Sequence, residues 1–201
     1  MATTATTSNP YELPINPAAR SNPGWWVMTL VIVTEGMLFA YLLFGYFYLG
    51  SMTPGAFPTD GPPELKLVIP NTIVLLISSG TMYWAERGIR AGNQGRLRLG
   101  MLVTLVLGIL FLIVQGIEYS HKRFAFQTNA YSGLFFTITG FHGFHVFVGL
   151  LMNVVVQVWA WRGWFTSERH LAVTNAAMYW HFVDGVWLVV FFSLYITPRF
   201  S

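Results

Sequence analysis

The chain contains no cysteine, which removes a disulfide framework, a thiolate metal site and a thiol nucleophile together. Charge is scarce as well: Asp, Glu, Lys and Arg make up 9% of the 201 residues, where a soluble domain carries roughly 25%. The formal charge of +3 comes from basic residues scattered over short segments, so there is no basic strip for nucleic acid and no nucleic-acid partner is expected. A Gly-rich phosphate loop, a Ser/His/Asp constellation and a His-x-x-x-His metalloprotease pattern are all missing. The residues therefore name no substrate and no catalytic group. What the chain has in quantity is apolar surface, at 54% hydrophobic and 17% aromatic residues with eight Trp. That balance describes an integral membrane protein, with aromatic side chains to spare for interface anchors and helix contacts.

Apolar runs stand at 24–50, 67–88, 99–119, 131–161 and 171–197, each near or above the ~20 residues that a spanning helix needs. The expected fold is all-α, a bundle of five transmembrane helices. Residues 1–23 lack the pattern of a removable signal peptide and are expected to form a flexible tail. Pro54, Gly55, Pro58, Gly61, Pro62 and Pro63 mark the first connector, and Gly92, Asn93 and Gly95 the second. Lys and Arg in the short segments set the orientation. Arg20, Arg87, Arg90, Arg96, Arg98, Arg162 and Arg169 fall on one side, and Lys66, Lys122, Arg123 and Arg199 on the other. Seven against four predicts the N-terminus inside and the C-terminus outside.

Ionisable residues deep in such spans are costly and face protein or a wet cavity. The fifth run holds Tyr179-Trp180-His181-Phe182-Val183-Asp184, in which His181 and Asp184 are i and i+3 on one helix face and each is the other's expected partner. Glu35 lies near mid-membrane in the first run. It reads either as a proton-exchanging or partner-facing carboxylate, or as a carboxyl simply protonated and hydrogen-bonded in the bundle. In the fourth run Gly140-Phe141-His142-Gly143-Phe144-His145 places two His at i and i+3, a spacing that invites a metal reading. Glu118 and His121 add the Glu-x-x-His spacing of di-iron bundles. Depth opposes a joint site, because Glu118 and His121 stand roughly 15 Å from the mid-membrane groups. The expectation is therefore buried histidines hydrogen-bonded between helices, packed closely where Gly140, Gly143 and Gly149 admit a neighbour, with no metal ligand assigned. Asn71, Thr72, Ser78, Ser79 and Thr81 are expected to supply hydrogen bonds between helices.

Taken together these residues resemble subunit III of the haem-copper oxidases, the cytochrome c and quinol oxidase superfamily. The likeness runs through Glu35, Asn71-Thr72, Leu75-Leu76, Ser79, Trp84-Ala85, Gln115, Glu118-Tyr119, the segment Gly140 to Val146, and Tyr179 to Asp184 with Val186-Trp187-Leu188. The resemblance implies an accessory subunit without haem or copper of its own, packed against a catalytic subunit I that holds both, with subunit II and others in the complex. It implies support of proton uptake, in which Glu35, His142, His145, His181 and Asp184 are the buried polar groups of interest, and bound phospholipid, for which Arg162 and His170 are candidate headgroup partners. A bacterial cytoplasmic membrane is the expected location. Longer members have seven helices, of which this chain's first resembles the third, and Thr174 stands where related chains often carry Glu. A subunit associated with a nitric oxide reductase is the alternative within the class, while a membrane metal enzyme and a proton-coupled transporter are the alternatives outside it.

Overall fold

The computed structural model describes residues 23–52, 64–121 and 129–199. They form five helices, α1 (Pro23–Met52), α2 (Val68–Arg90), α3 (Gln94–His121), α4 (Ala130–Trp161) and α5 (Leu171–Phe191). All five spans are long and apolar enough to cross a membrane, the fifth counted through Arg199, and no strand occurs among the described residues. The protein is an all-α integral membrane bundle. The expected tail at 1–23 lies outside the described residues except for Pro23, which opens α1 at a position where its missing N–H costs nothing. Arg20, the Pro- and Gly-rich part of the first connector, and Lys122 and Arg123 also lie outside them.

The turn between α2 and α3 is tighter than the sequence pattern predicts. Only Ala91, Gly92 and Asn93 separate the helices, so Arg90, Arg96 and Arg98 are helical and not in a loop. Gly92 takes φ of 74°, a conformation that favours glycine, and Asn93 Oδ1 accepts from the Arg96 backbone N–H at 3.0 Å. Two glycines permit the close approach. A Cβ on Gly88 would fall 2.5 Å from Arg96 Cβ, and one on Gly100 would fall 2.7 Å from Ala85 Cβ. Hydropathy underestimates such helix ends because arginines within the last turn read as loop.

Small polar residues lock α2 into the interior, and all five that the sequence singles out bond to another helix. Asn71 Nδ2 donates to the Phe111 carbonyl at 3.2 Å, the Ser79 and His181 side chains bond at 2.9 Å, and Thr81 and Thr104 share a bond at 2.7 Å. Trp180 Nε1 donates to Ser78 Oγ at 3.0 Å and Trp187 Nε1 to Thr72 Oγ1 at 2.9 Å. Two indoles seven residues apart on α5 thus take two hydroxyls on α2. Trp180 fits because α3 and α4 make room: a Cβ on Gly108 would lie 2.6 Å from its ring, and one on Gly149 would lie 3.0 Å from it. Gly140 and Gly143 do not share that role. No atom stands within 4 Å of a Cβ built on Gly140, and the nearest to Gly143 is Leu112 Cδ2 at 3.9 Å. Of the three α4 glycines expected at close contacts, Gly149 alone makes one.

The fifth span is not one regular helix to residue 197. After Phe191 the backbone widens into a π turn over Phe192–Ile196 and then tightens over Thr197–Arg199. This change buries three consecutive residues, Ser193, Leu194 and Tyr195, which a regular helix face does not do.

Candidate functional site

The five ionisable residues that the sequence places near mid-membrane, Glu35, His142, His145, His181 and Asp184, fall into two polar groups and one isolated histidine. The first pair joins α1 to α4. His145 Nε2 lies 3.0 Å from Glu35 Oε2, and its Nδ1 lies 2.7 Å from the carbonyl oxygen of Phe141, one turn back on α4. A carbonyl only accepts, so Nδ1 carries a hydrogen and the proton between Nε2 and Glu35 is single. Either the carboxylic acid donates to a neutral imidazole or an imidazolium donates to a carboxylate. Both forms have no net charge, which suits a pair held within the membrane. Phe39, one turn along α1, sets its ring edge to face against His145 at 5.1 Å. His145 is buried, whereas the Glu35 side chain keeps 34% of its exposure and looks out beside α1. The sequence places these two residues near the same depth without showing that they pair, because the contact joins helices separated by 110 positions.

The second pair joins α2 to α5 and corrects an expectation. His181 Nδ1 bonds to Ser79 Oγ at 2.9 Å, so the direct partner of His181 is that hydroxyl and not Asp184. Asp184, one turn along α5, stays within electrostatic reach of His181, but its buried Oδ1 has no hydrogen-bond partner among the described residues. The i, i+3 spacing puts both on one face, and both meet the Ser79 side chain across on α2. Glu86, one turn short of the α2 C-terminus, also lies within reach of His181. Sequence reasoning passed over Glu86, although Ser79, Glu86 and Arg90 repeat at i, i+7 and i+11 on one helix face.

His142 stands apart. It is 1% exposed, and neither ring nitrogen has a hydrogen-bond partner among the described residues. Its neighbours are rings: Trp187 at 4.7 Å, Phe111 at 5.8 Å and Phe39 at 6.5 Å. Here the expected hydrogen-bonded histidine is instead packed in an aromatic cage. Glu118 is taken by Tyr195, whose hydroxyl donates to Oε1 at 3.0 Å, and by Gln115 at 3.2 Å. His121 folds back toward the Ile117 carbonyl at 2.8 Å. The Glu-x-x-His spacing therefore serves two separate arrangements, and the described residues contain no group of three or more His, Cys, Asp or Glu that could hold a metal ion.

The candidate headgroup residues separate too. Arg162 caps the C-terminus of α4 through its backbone and is exposed. His170 precedes α5 and is buried. It lines a cavity of about 600 Å³ with Trp25, Glu86, Arg90, Ser167 and Thr174, and Arg162 is not among the lining residues. Around this end of the bundle guanidinium groups lie over rings, Arg87 on Tyr83 at 4.9 Å, Arg96 on Trp84 at 5.8 Å and Arg98 on Trp161 at 5.7 Å.

Residues 22–198 match the family model described as cytochrome c oxidase subunit III. Among curated proteins, cytochrome c oxidase subunit 3 of Synechocystis sp. is 38% identical over 84% of this chain and 73% of its own length. The protein of the same name from Triticum aestivum is 38% identical over 83% of this chain and 65% of its own length, and that from Rattus norvegicus 38% over 84% and 67%. This chain thus spans about two thirds to three quarters of the length of these relatives. The match extends across all five helices, and on that ground the chain belongs to the cytochrome c oxidase subunit III family, whose members are accessory subunits within multi-subunit haem-copper oxidases.

Proposed function

We propose that the chain serves as a non-catalytic partner of the oxidase's catalytic subunit I, which carries the haem and copper, and that it supports proton uptake into that subunit. The carrying observation is the 3.0 Å contact of Glu35 with His145, which joins α1 to α4 and whose carboxyl side is still accessible. A pair that stays neutral in either proton arrangement can sit in the membrane and still exchange its proton with water or a neighbouring subunit. The Ser79 to His181 bond and the buried Asp184 carboxylate form a second polar layer on the opposite helices, while caged His142 contributes packing. Phospholipid is the other proposed partner, with Arg162 and His170 the candidate headgroup residues at the arginine-rich end. The N-terminus is placed inside and the C-terminus outside a bacterial cytoplasmic membrane, on the seven-to-four charge count.

Affinity purification of the tagged chain from its native membrane tests the assignment. A haem-containing catalytic subunit should co-purify in equal amount, and a preparation without haem bands would overturn the reading. In the intact complex Glu35→Gln should leave subunit stoichiometry unchanged and lower oxygen consumption, or its durability over many turnovers, toward high pH. Single cysteines at Asn93 and Asn129, in a chain that has none, should label from opposite faces; labelling of both from outside would refute the orientation.

A further inference from the structure

We propose that the seam between α3 and α4, at the arginine-rich end of the bundle, is a binding site for water, held as a short file that runs inward from Gln94 and stops at Asn153. The site stands independently of the subunit role proposed above.

Three buried side-chain oxygens along this seam have no donor among the described residues: Gln94 Oε1 on α3, and Gln157 Oε1 and Asn153 Oδ1 on α4. Both glutamine amides have a fixed orientation. Gln94 Nε2 donates to the Phe165 carbonyl, and Gln157 Nε2 donates to the Arg98 carbonyl at 3.0 Å. A carbonyl only accepts, so each nitrogen must stay where it is and each Oε1 must point elsewhere. Helix geometry lines the three oxygens up. Asn153 and Gln157 are i and i+4, which makes their side chains neighbours on one face of α4. Gln94 and Arg98 are i and i+4 on α3, and Arg98 is the residue whose carbonyl holds Gln157, so Gln94 stands one turn nearer the mouth.

The balance of donors and acceptors decides what fills the seam. Among the described residues Asn153 Nδ2 is the single unused donor set against those three acceptors. Turning it onto Gln157 would pair two of the atoms and still leave Asn153 Oδ1 and Gln94 Oε1 bare, each with its full desolvation penalty. Water corrects the imbalance because each molecule donates twice. One spans Gln94 and Gln157, and the next spans Gln157 and Asn153 while accepting from Nδ2. A metal cation fits worse, because the guanidinium of Arg98, whose Nε donates to the Ala160 carbonyl at 3.1 Å, already puts a positive charge beside the seam.

The neighbouring helix leaves the room. Gly149 lies against Trp180 and Tyr179, and α4 and α5 run antiparallel, so one turn along α4 to Asn153 corresponds to one turn back on α5, at the buried Ala176 and Ala177. Past that level Trp180 occupies the gap between Gly108 and Gly149 and closes the file. Asn153, at 0% exposure, is its blind end.

Nuclear magnetic resonance of the full chain in detergent micelles, with isotope-labelled asparagine and glutamine, tests the site. Cross-peaks to water that are opposite in sign in laboratory-frame and rotating-frame experiments mark a resident molecule. They should appear on the side-chain amide protons of Asn153 and Gln157 and be missing from the backbone N–H of Leu150, which lies beside Trp180 at Gly108. Gln157→Leu should weaken the Asn153 cross-peak severalfold by severing the file, with circular dichroism as the folding control. Gln94→Leu, at the half-buried mouth, cuts the file a second time and should act in the same direction. A chain in which Asn153 shows no water and contacts Gln157 directly would overturn the site. An Asn153 cross-peak unchanged in both variants would show water arriving by another route and overturn the file. Loss of the cross-peaks when potassium replaces N-methylglucamine in the buffer would reveal a cation and overturn the water assignment.

Discussion

Helices α1 and α2 are both membrane spans, and the bundle treats them in opposite ways. In α1 only Phe39 and Tyr46 are buried, and Leu30, Met37, Tyr41, Phe44 and Tyr48 point away from the other helices. It packs mainly on α4 and α5, tied by Glu35 to His145 and by Asn175, whose Nδ2 donates to the Gly24 carbonyl at 3.1 Å. The least apolar of the five spans, α2, sits instead among α3 and α5 with ten buried residues, four of them polar: Asn71, Thr72, Ser78 and Glu86. In a soluble protein the most apolar helix goes to the centre. In lipid there is no hydrophobic drive between helices, so polar complementarity and close backbone approach choose the interior, and the most apolar helices face acyl chains or a neighbouring subunit.

That contrast can be broken most decisively at Trp180. Trp180→Ala removes the filler between Gly108 and Gly149 and leaves Ser78 without its donor, for an expected loss of about 3–5 kcal/mol. Unfolding of the detergent-solubilised chain, titrated with dodecyl sulfate and followed by circular dichroism, measures it; a loss under ~1 kcal/mol would mean that α2 is not the anchor. Thr72→Val and Ser79→Ala come next. Each strands one partner, Trp187 Nε1 or His181 Nδ1, for roughly 1–3 kcal/mol in the same assay. Asp184→Ala should cost less than Ser79→Ala, since His181 keeps its bond; the reverse order would restore Asp184 as the main partner. On α1, Glu35→Leu leaves Nε2 of His145 unpaired at a cost of about 1 kcal/mol, whereas Glu35→Gln, whose amide can donate to Nε2, should cost less than Glu35→Leu. The smallest effect belongs to Tyr41→Leu, at a side chain 73% exposed, which should stay within about 0.5 kcal/mol for the isolated chain. A larger loss in the assembled complex than in the isolated chain would identify this face of α1 as a subunit contact.

How far the sequence carries depends on whether the deciding physics is local. Span number and class follow from run length, and the five polar residues of α2 declare themselves because nothing but another helix can satisfy them in lipid. The pairing of Glu35 with His145 is not legible, since it depends on how α1 leans on α4 and no spacing within either helix encodes it. His181 and Asp184 mislead for the opposite reason. Their i, i+3 spacing fixes a shared face, but a hydroxyl on α2 reaches the imidazole first. Glu86 escapes notice because an acid beside arginines at a helix end reads as a solvated surface pair, and only the packing of α1 and α5 around it reveals a cavity.

The π turn at Phe192–Ile196 bears on the length of the chain more than on its chemistry. Such a turn is equivalent to an α-helix carrying one inserted residue, and one residue rotates everything beyond it by about 100°. Deleting a single position there would let the helix run straight and swing Tyr195 away from Glu118, so the hydrogen bond that closes this end of the bundle depends on a count of residues as much as on the two side chains that make it.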